Sequence, residues 1–316
     1  MDRGLPMQGR PQDANAAEIT SRVSFGLSGR GVPGGLSGRW RELTRGRLGF
    51  LFSSQIALIG LAVVLAWIVV AIVAPLIAPY PPNEGVGPIN QPPSAQYLCG
   101  TDDLGRDVLS RLIYGSRPIL ILAPLSVLLS MVVGITLGLA GGYLGGVVDE
   151  VLMRVVDATM AFPTLLLYMI IIAAVGPSSL NVVLAITIGG APGIARVVRS
   201  LALDLRSREY VQAARLRGES GLYIMFVEIL PNCLGPVIVD GCLRVGYAAF
   251  AIGTLGFLGL GLPPPDPDWG RMVAEGRKWI MSAPWIVLFP SLAVTSLVVA
   301  LNMVADGLQE ELGRYR

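Results

Sequence analysis

The chain contains no histidine, and Lys278 is its only lysine. A Ser-His-Asp triad, a histidine-ligated metal and a phosphate loop ending in Gly-Lys-Ser/Thr are therefore excluded from this chain. Any ATP that drives it has to be bound by another subunit. Cys99, Cys233 and Cys242 are odd in number and lack CxxC spacing, so they indicate neither a disulfide framework nor a zinc site. What remains is a pair of opposite charges, Asp240 and Arg244, one helical turn apart in an apolar stretch. An ion pair inside a span faces protein or a water-filled cavity, so these two either form a structural intramembrane pair or line a substrate path.

The elements that hold this pair are set by composition. With 53% hydrophobic and 15% charged residues over 316 positions, the chain is too apolar for a soluble protein. An all-α integral membrane protein is expected. Crossing the hydrocarbon core takes roughly 20 apolar residues of helix, and five long apolar blocks meet that length. They run from Ile56 to Ala78, within Pro118 to Val148, from Ala158 to Ala195, from about Cys233 to Leu262, and from Trp279 to Ala305. The glycines from Gly138 to Gly146 favour an exit turn at the end of the second block. The third block, 38 residues without a charge, is too long for one straight crossing and folds back at Gly176-Pro177-Ser178-Ser179. That leaves spans near 160–176 and 180–198, six in all. The prolines at 263–265 are compatible with an abrupt stop of the fifth span.

An even number of spans puts both termini on one side. Seventeen arginines fall on that side and six basic residues on the other, so both termini are expected to be cytoplasmic. Residues 1–50 mix Gly, Ser, Pro and Arg without helical periodicity and predict a flexible cytoplasmic tail. A first transmembrane helix follows over 51–79, an extracytoplasmic segment over 80–117, and a five-helix core over 118–312. The tail carries Gly-Leu-Ser-Gly-Arg at 26–30 and again at 35–39, superficially like the GxSG motif of intramembrane serine proteases. Both copies lie outside any apolar span and no histidine can serve as base, so the repeat reads as linker.

The longest inward connection, 199–232, predicts a polar-apolar helix stopped at Gly218 and restarted near Ser220. Glycine there permits a left-handed cap, and Ser220 accepts from the first free amides of the next helix. Ala213 and Ala214 would offer a smooth patch for close contact. This helix-turn-helix suits either a protein partner or rest among lipid headgroups. Outside, Gly100 to Asp107 reads GTDDLGRD. Thr101 or Asp102 could cap a short helix there while Arg106 pairs with a neighbouring carboxylate.

Gln212-Ala213-Ala214, Gly218 and Ile229-Leu230-Pro231 resemble the EAA loop of binding-protein-dependent ABC importer permeases. The outward GTDDLGRD segment, Asp149 to Pro163, Phe257 to Gly261, Pro267 to Gly270 and Asn302 to Leu308 resemble, in order, the dipeptide, oligopeptide and nickel branch of that family. The match covers roughly residues 50–312. The resemblance implies a type I ABC importer permease fold and the second of two permease subunits, in a bacterial cytoplasmic (inner) membrane. Its implied partners are a homologous permease subunit, two ABC ATPases that bind ATP and Mg, an extracytoplasmic solute-binding protein, a peptide and membrane lipid. No nucleic acid is expected.

In the family the loop docks into a cleft on the ATPase and transmits its closure. Here that implies a coupling role for Gln212, Ala213, Ala214, Gly218, Ile229, Leu230 and Pro231. Thr101, Asp102, Gly105, Arg106 and Asp107 would either contact the binding protein or only shape the outer segment. Two positions depart from the pattern: Gln212 stands where the motif has glutamate, and Ile252 where many relatives carry one. The implied mechanism is alternating access, with no covalent chemistry and no cofactor in this chain. Nickel, glutathione or another small solute is the alternative cargo. An ATPase-independent secondary transporter, resting on Asp240 and Arg244, is the rival class.

Overall fold

The computed structural model describes residues 55–314. The tail expected over 1–50, with both Gly-Leu-Ser-Gly-Arg copies, lies outside the described residues. Helices dominate in chain order: α1 (Gln55–Ile77), α2 (Val108–Leu144), α3 (Gly146–Met160), α4 (Thr164–Val175), α5 (Ser179–Leu205), α6 (Glu209–Leu216), α7 (Gly221–Phe257), α8 (Trp269–Gly276) and α9 (Trp285–Arg314). Five of them, α1, α2, α5, α7 and α9, are long and apolar enough to cross a membrane. A sixth candidate needs two helices taken together: α3 and α4 meet at 89°.

That break corrects the expected straight span at 160–176. Pro163 lacks an N–H and disfavours helical backbone at Phe162, so the helix is interrupted just where the apolar block begins. The 12 residues of α4 extend only about 18 Å at 1.5 Å per residue. α3 instead turns its charged side to α5. Arg199 grips Asp149 with Nε and Nη2 at 2.5 and 2.6 Å, and Arg196 reaches Asp157 at 2.6 Å. Val147, Val151 and Val155 stay exposed on α3, as on a helix lying along a membrane face.

The turn at 176–179 forms as expected. Gly176 takes φ +88°, and the Ser178 hydroxyl accepts from the Asn181 amide at 3.1 Å to cap α5. α2 differs at both ends. It starts already at Val108, capped by Asp107, and runs through Gly138, Gly141 and Gly142 to turn only at Gly145 and Gly146. Gly134, Gly138 and Gly142 recur every four residues and face α5, where lipid offers helices no hydrophobic drive and close packing has to hold them together. A Cβ on Gly138 would lie 2.6 Å from both the Ala195 carbonyl oxygen and the Val198 Cβ. α7 also departs from expectation, stopping at Phe257 ahead of the prolines. Gly259 at φ +78° closes it, with the Leu260 amide donating to the Leu255 carbonyl at 2.8 Å.

α1 packs along α9. Trp67 donates to the Ser296 hydroxyl at 3.0 Å and meets the Trp269 ring edge-on at 4.8 Å. Pro75 removes the N–H that would bond the Ala71 carbonyl, and Arg117 of α2 supplies the replacement through Nε at 2.7 Å. Two apolar cores result. The larger joins α2, α4, α5, α7, α8 and α9 around Ile172, Leu255, Trp269 and Leu297. The smaller gathers the inner ends of α2, α5 and α7 around Leu139, Ile194, Val198 and Ile229.

Gly138→Val should overpack the α2–α5 contact at a cost of about 1–3 kcal/mol. The expected readout is a melting temperature several degrees below wild type for the detergent-solubilised chain. Gly253→Ala, whose Cβ would meet only Val294 at 3.5 Å, should match wild type.

Candidate functional site

Three groups of residues carry the functional expectations. On the inward side α6 follows α5 through a tight turn, where Gln212 donates from Nε2 to the Arg206 carbonyl at 3.2 Å. A glutamate at 212 would have no proton to donate there at neutral pH, so the departure from the family motif has a local use. α6 ends as expected at Gly218, φ +80°, with the Glu219 amide reaching back to the Ala214 carbonyl at 3.2 Å. Ser220 then accepts from the Tyr223 amide at 3.2 Å. The first turns of α7 are π-helical over Ile224–Ile229, which places Ile224, Met225 and Ile229 together against the smaller core.

The expected alanine patch splits. Val211 and Ala214, three residues apart on α6, are fully buried with Ile224 and Ile229, while Gln212, Ala213, Gly218 and Pro231 are exposed and Leu230 is half-buried. Only Ala213 is left to meet a partner. Two further ties fix the loop to the end of α2: the Arg206 guanidinium donates to the Gly142 carbonyl at 3.2 Å, and Arg215 lies over the Tyr143 ring at 4.9 Å. Arg217 closes the turn onto Glu228 at 3.2 Å. Sequence reasoning missed Leu216, which is 90% exposed at the tip, and Leu222 beyond the turn. Once packing turns Val211 and Ala214 inward, helical geometry puts Leu216 on the opposite face.

An open cavity of about 430 Å³ lies between α2, α4, α5, α7 and the end of α3. Its wall is mostly apolar, with hydroxyls from Ser130, Tyr168 and Tyr247, and Thr159 and Phe162 at the α3–α4 elbow. Arg244 lines it. Asp240 holds the guanidinium at 2.6 Å through Nε and at 3.3 Å through Nη2. The expected pair therefore forms, with Arg244 at the cavity and both side chains about a quarter exposed. Gly189, Gly190 and Gly193 on α5 open the space. A Cβ on Gly193 would sit 2.8 Å from Arg244 Nη2, and one on Gly189 would strike the Tyr168 ring. Ile252, the second departure from the expected family pattern, is buried in the larger core.

On the outward side Thr101, Asp102, Arg106 and Asp107 are all buried, and their partners lie within the chain. Asp107, rather than Thr101 or Asp102, caps the helix, accepting from the Ser110 amide at 2.8 Å and its hydroxyl at 2.6 Å. Asp102 accepts from the Leu104 and Arg106 amides, each at 2.9 Å, and pairs with Arg106 Nε at 2.6 Å. Gly105 makes the turn at φ +73°. Thr101 donates to the Pro88 carbonyl at 2.6 Å. Arg106 continues to Glu275 of α8 at 3.1 Å, a partner far along the chain that local spacing does not reveal. Asp268 caps α8, and burial pushes its carboxyl above the usual range against the pull of its backbone donors. Burial, with Asp107 adding to it, pushes the Cys99 thiol up to about 11, leaving it protonated and unreactive at neutral pH.

Comparison with known proteins assigns the chain to a family. Residues 130–314 match the family model described as binding-protein-dependent transport system inner membrane component, and residues 40–93 match the N-terminal TM domain of oligopeptide transport permease C. The dipeptide transport system permease protein DppC of Alkalihalophilus pseudofirmus is 40% identical over 275 residues, covering 86% of this chain and 89% of that protein. The Escherichia coli dipeptide transport system permease protein DppC is 43% identical over 263 residues, 81% of this chain and 88% of its own length. The Pseudomonas aeruginosa di/tripeptide transport system permease protein DppC is 42% identical, with 81% and 87% covered. Among solved structures, the inward-facing methionine ABC transporter MetNI aligns with TM-score 0.52 at 18% identity, over 65% of this chain and 97% of the other. That likeness bears on the fold alone, the type I ABC importer permease fold. The chain belongs to the family of binding-protein-dependent transport system inner membrane components.

Proposed function

We propose that the chain is one of two homologous permease subunits of an importer that carries peptides across a bacterial cytoplasmic membrane by alternating access. The observation that carries this reading is the mechanical position of α6. Val211 and Ala214 bury one face of the helix in the same core that packs the inner ends of α2, α5 and α7, while Leu216 stands free at its tip. A partner that moves α6 moves three of the helices around the cavity.

Two ATPase subunits supply the movement in this reading. They bind the ATP and Mg, and their closure draws on the tip formed by Ala213, Leu216 and the exposed arginines. Exposed leucine beside arginine suits an apolar anchor ringed by charge. A solute-binding protein delivers the cargo outside. The fully partnered GTDDLGRD segment gives that protein a rigid landing surface, with Leu104 exposed beside it. Peptide as cargo is supported by the names of the relatives given above, which are dipeptide and di/tripeptide permease proteins.

Uptake of labelled di-, tri- and pentapeptides, with nickel in parallel, tests the reading in cells with and without the chain. Loss of ATP-dependent peptide uptake alone is the expected result. Loss of nickel uptake alone would replace the cargo, and uptake that survives ATP depletion but fails with the proton gradient would replace the class.

Leu216→Ser should weaken retention of the ATPase subunits by about tenfold or more if the leucine is a buried anchor at that interface. Co-purification and ATPase rate measure this. Gly218→Pro, incompatible with φ +80°, should leave assembly largely intact while abolishing ATP-driven uptake. Normal uptake by that variant would remove the coupling role.

A further inference from the structure

Between α8 and α9 the run Arg277-Lys278-Trp279-Ile280-Met281-Ser282 is exposed at every position. Trp279 is 37%, Ile280 49% and Met281 95% exposed. A fixed turn holds them there. Arg277–Trp279 form a 3₁₀ turn, and the Trp279 carbonyl accepts from the Ser282 and Ala283 amides at 2.9 and 2.6 Å. Both flanks are buried: Gly276 lies close against Ile286 and Val287, and Ala283 belongs to the larger core. The result is a knuckle with three large apolar side chains at its crest and two cations at its base. Such a crest is costly in water and calls for a surface to cover it.

Depth and charge decide what that surface is. α7 rises from the inward loop, so the knuckle beyond its far end lies on the outward side. The uncharged part of α9, from Trp285 to Ala305, covers about 30 Å at 1.5 Å per residue, the thickness of the hydrocarbon core. Trp285 therefore stands at the outer boundary of the core, and the knuckle just before it stands at the level of the headgroups. Tryptophan favours that level, and long cationic side chains reach from it to phosphate. Arg277 and Lys278 make no ion pair or side-chain hydrogen bond among the described residues. Glu275, the nearest acid before them, is taken by Arg106 and Arg271 at 3.1 and 3.4 Å, and no acid follows until Asp306. We infer that residues 277–282 grip the outer leaflet, with Trp279, Ile280 and Met281 set among the lipids and Arg277 and Lys278 on the phosphates of anionic phospholipids.

The test places the photo-cross-linker p-benzoylphenylalanine at Met281 in the assembled permease and ATPase complex. Nanodiscs contain phosphatidylethanolamine and phosphatidylglycerol in equal parts, and the solute-binding protein and dialanine are present. After illumination, intact-mass measurement should find the chain joined to a single phospholipid. Phosphatidylglycerol should be captured at least about threefold more often than phosphatidylethanolamine, because each basic residue near the surface adds attraction for an anionic headgroup. Arg277→Gln combined with Lys278→Gln should bring the two lipids close to parity. The same probe at Ile280 repeats the measurement if the one at Met281 disturbs assembly.

Capture of the binding protein in place of lipid would overturn the inference and assign the knuckle to that partner. Capture of neither, as for a crest standing free in water, would overturn it too. So would equal capture of the two lipids without the double substitution, or a preference that the double substitution leaves unchanged. The outcome is independent of cargo. A complex that imports no peptide keeps its lipid contact if lipid is captured, and one that imports dialanine without capturing lipid loses it.

Discussion

Gly134, Gly138 and Gly142 bring the backbone of α2 against α5, and the positions of the other helices follow from that contact. In hydrocarbon there is no water to expel from between two apolar helices, so dispersion and polar contacts at short range have to hold them. Once α2 and α5 touch, their inner ends form two sides of the smaller core, and α6 and the start of α7 complete it. The cavity lies further along the same pair, where small residues on α5 leave space in place of contact. One helix pair thus contributes a rigid seam at one level and a hollow at another.

The polar groups that interrupt the apolar stretches follow the same logic of local satisfaction. An unpaired backbone carbonyl in lipid costs several kcal/mol in order of magnitude. Pro75 creates such a carbonyl at Ala71, and Arg117 from the neighbouring helix covers it. Asp240 and Arg244 satisfy each other within a single turn. Asp149 and Asp157 tie α3 to Arg199 and Arg196 near the inner end of α5, where the elbow meets the cavity. The two α3–α5 pairs fix one helix against another while remaining neutral as pairs.

Long-range hydropathy made the helical class and five crossings legible from sequence, because a run such as Ile56 to Ala78 has no other stable environment. Glycines with positive φ were legible where they end helices in polar surroundings, as at Gly176 and Gly218. Gly145 and Gly146 make the expected exit turn of α2, but Gly138, Gly141 and Gly142 stay helical, because periodic glycine in a membrane helix signals a neighbour and reads the same as a turn until that neighbour is known. The α3–α4 elbow was hidden by its apolar composition, which is the same for a straight span and a bent one. In the inward loop the turn at Gly218 was legible but the sides of α6 were not: adjacent Ala213 and Ala214 face opposite environments, and only tertiary packing decides which is buried. Glu275 as partner of Arg106 and Tyr168 as part of the cavity wall come from distant helices, beyond the reach of spacing arguments.

The π-helical stretch at Ile224–Ile229 sets a phase for everything after it. One residue in an α-helix corresponds to about 100° of rotation, and a π-turn absorbs one extra residue without breaking the rod. Downstream, that offset decides which side of α7 carries Asp240 and Arg244 and which carries the residues packed on α9. Shortening the stretch by a single residue would leave the hydropathy of α7 almost unchanged while swinging its ion pair away from the cavity. An insertion or deletion beside the inward loop therefore acts as a rotary change in the lining of the cavity, transmitted along the helix without any substitution at the site itself.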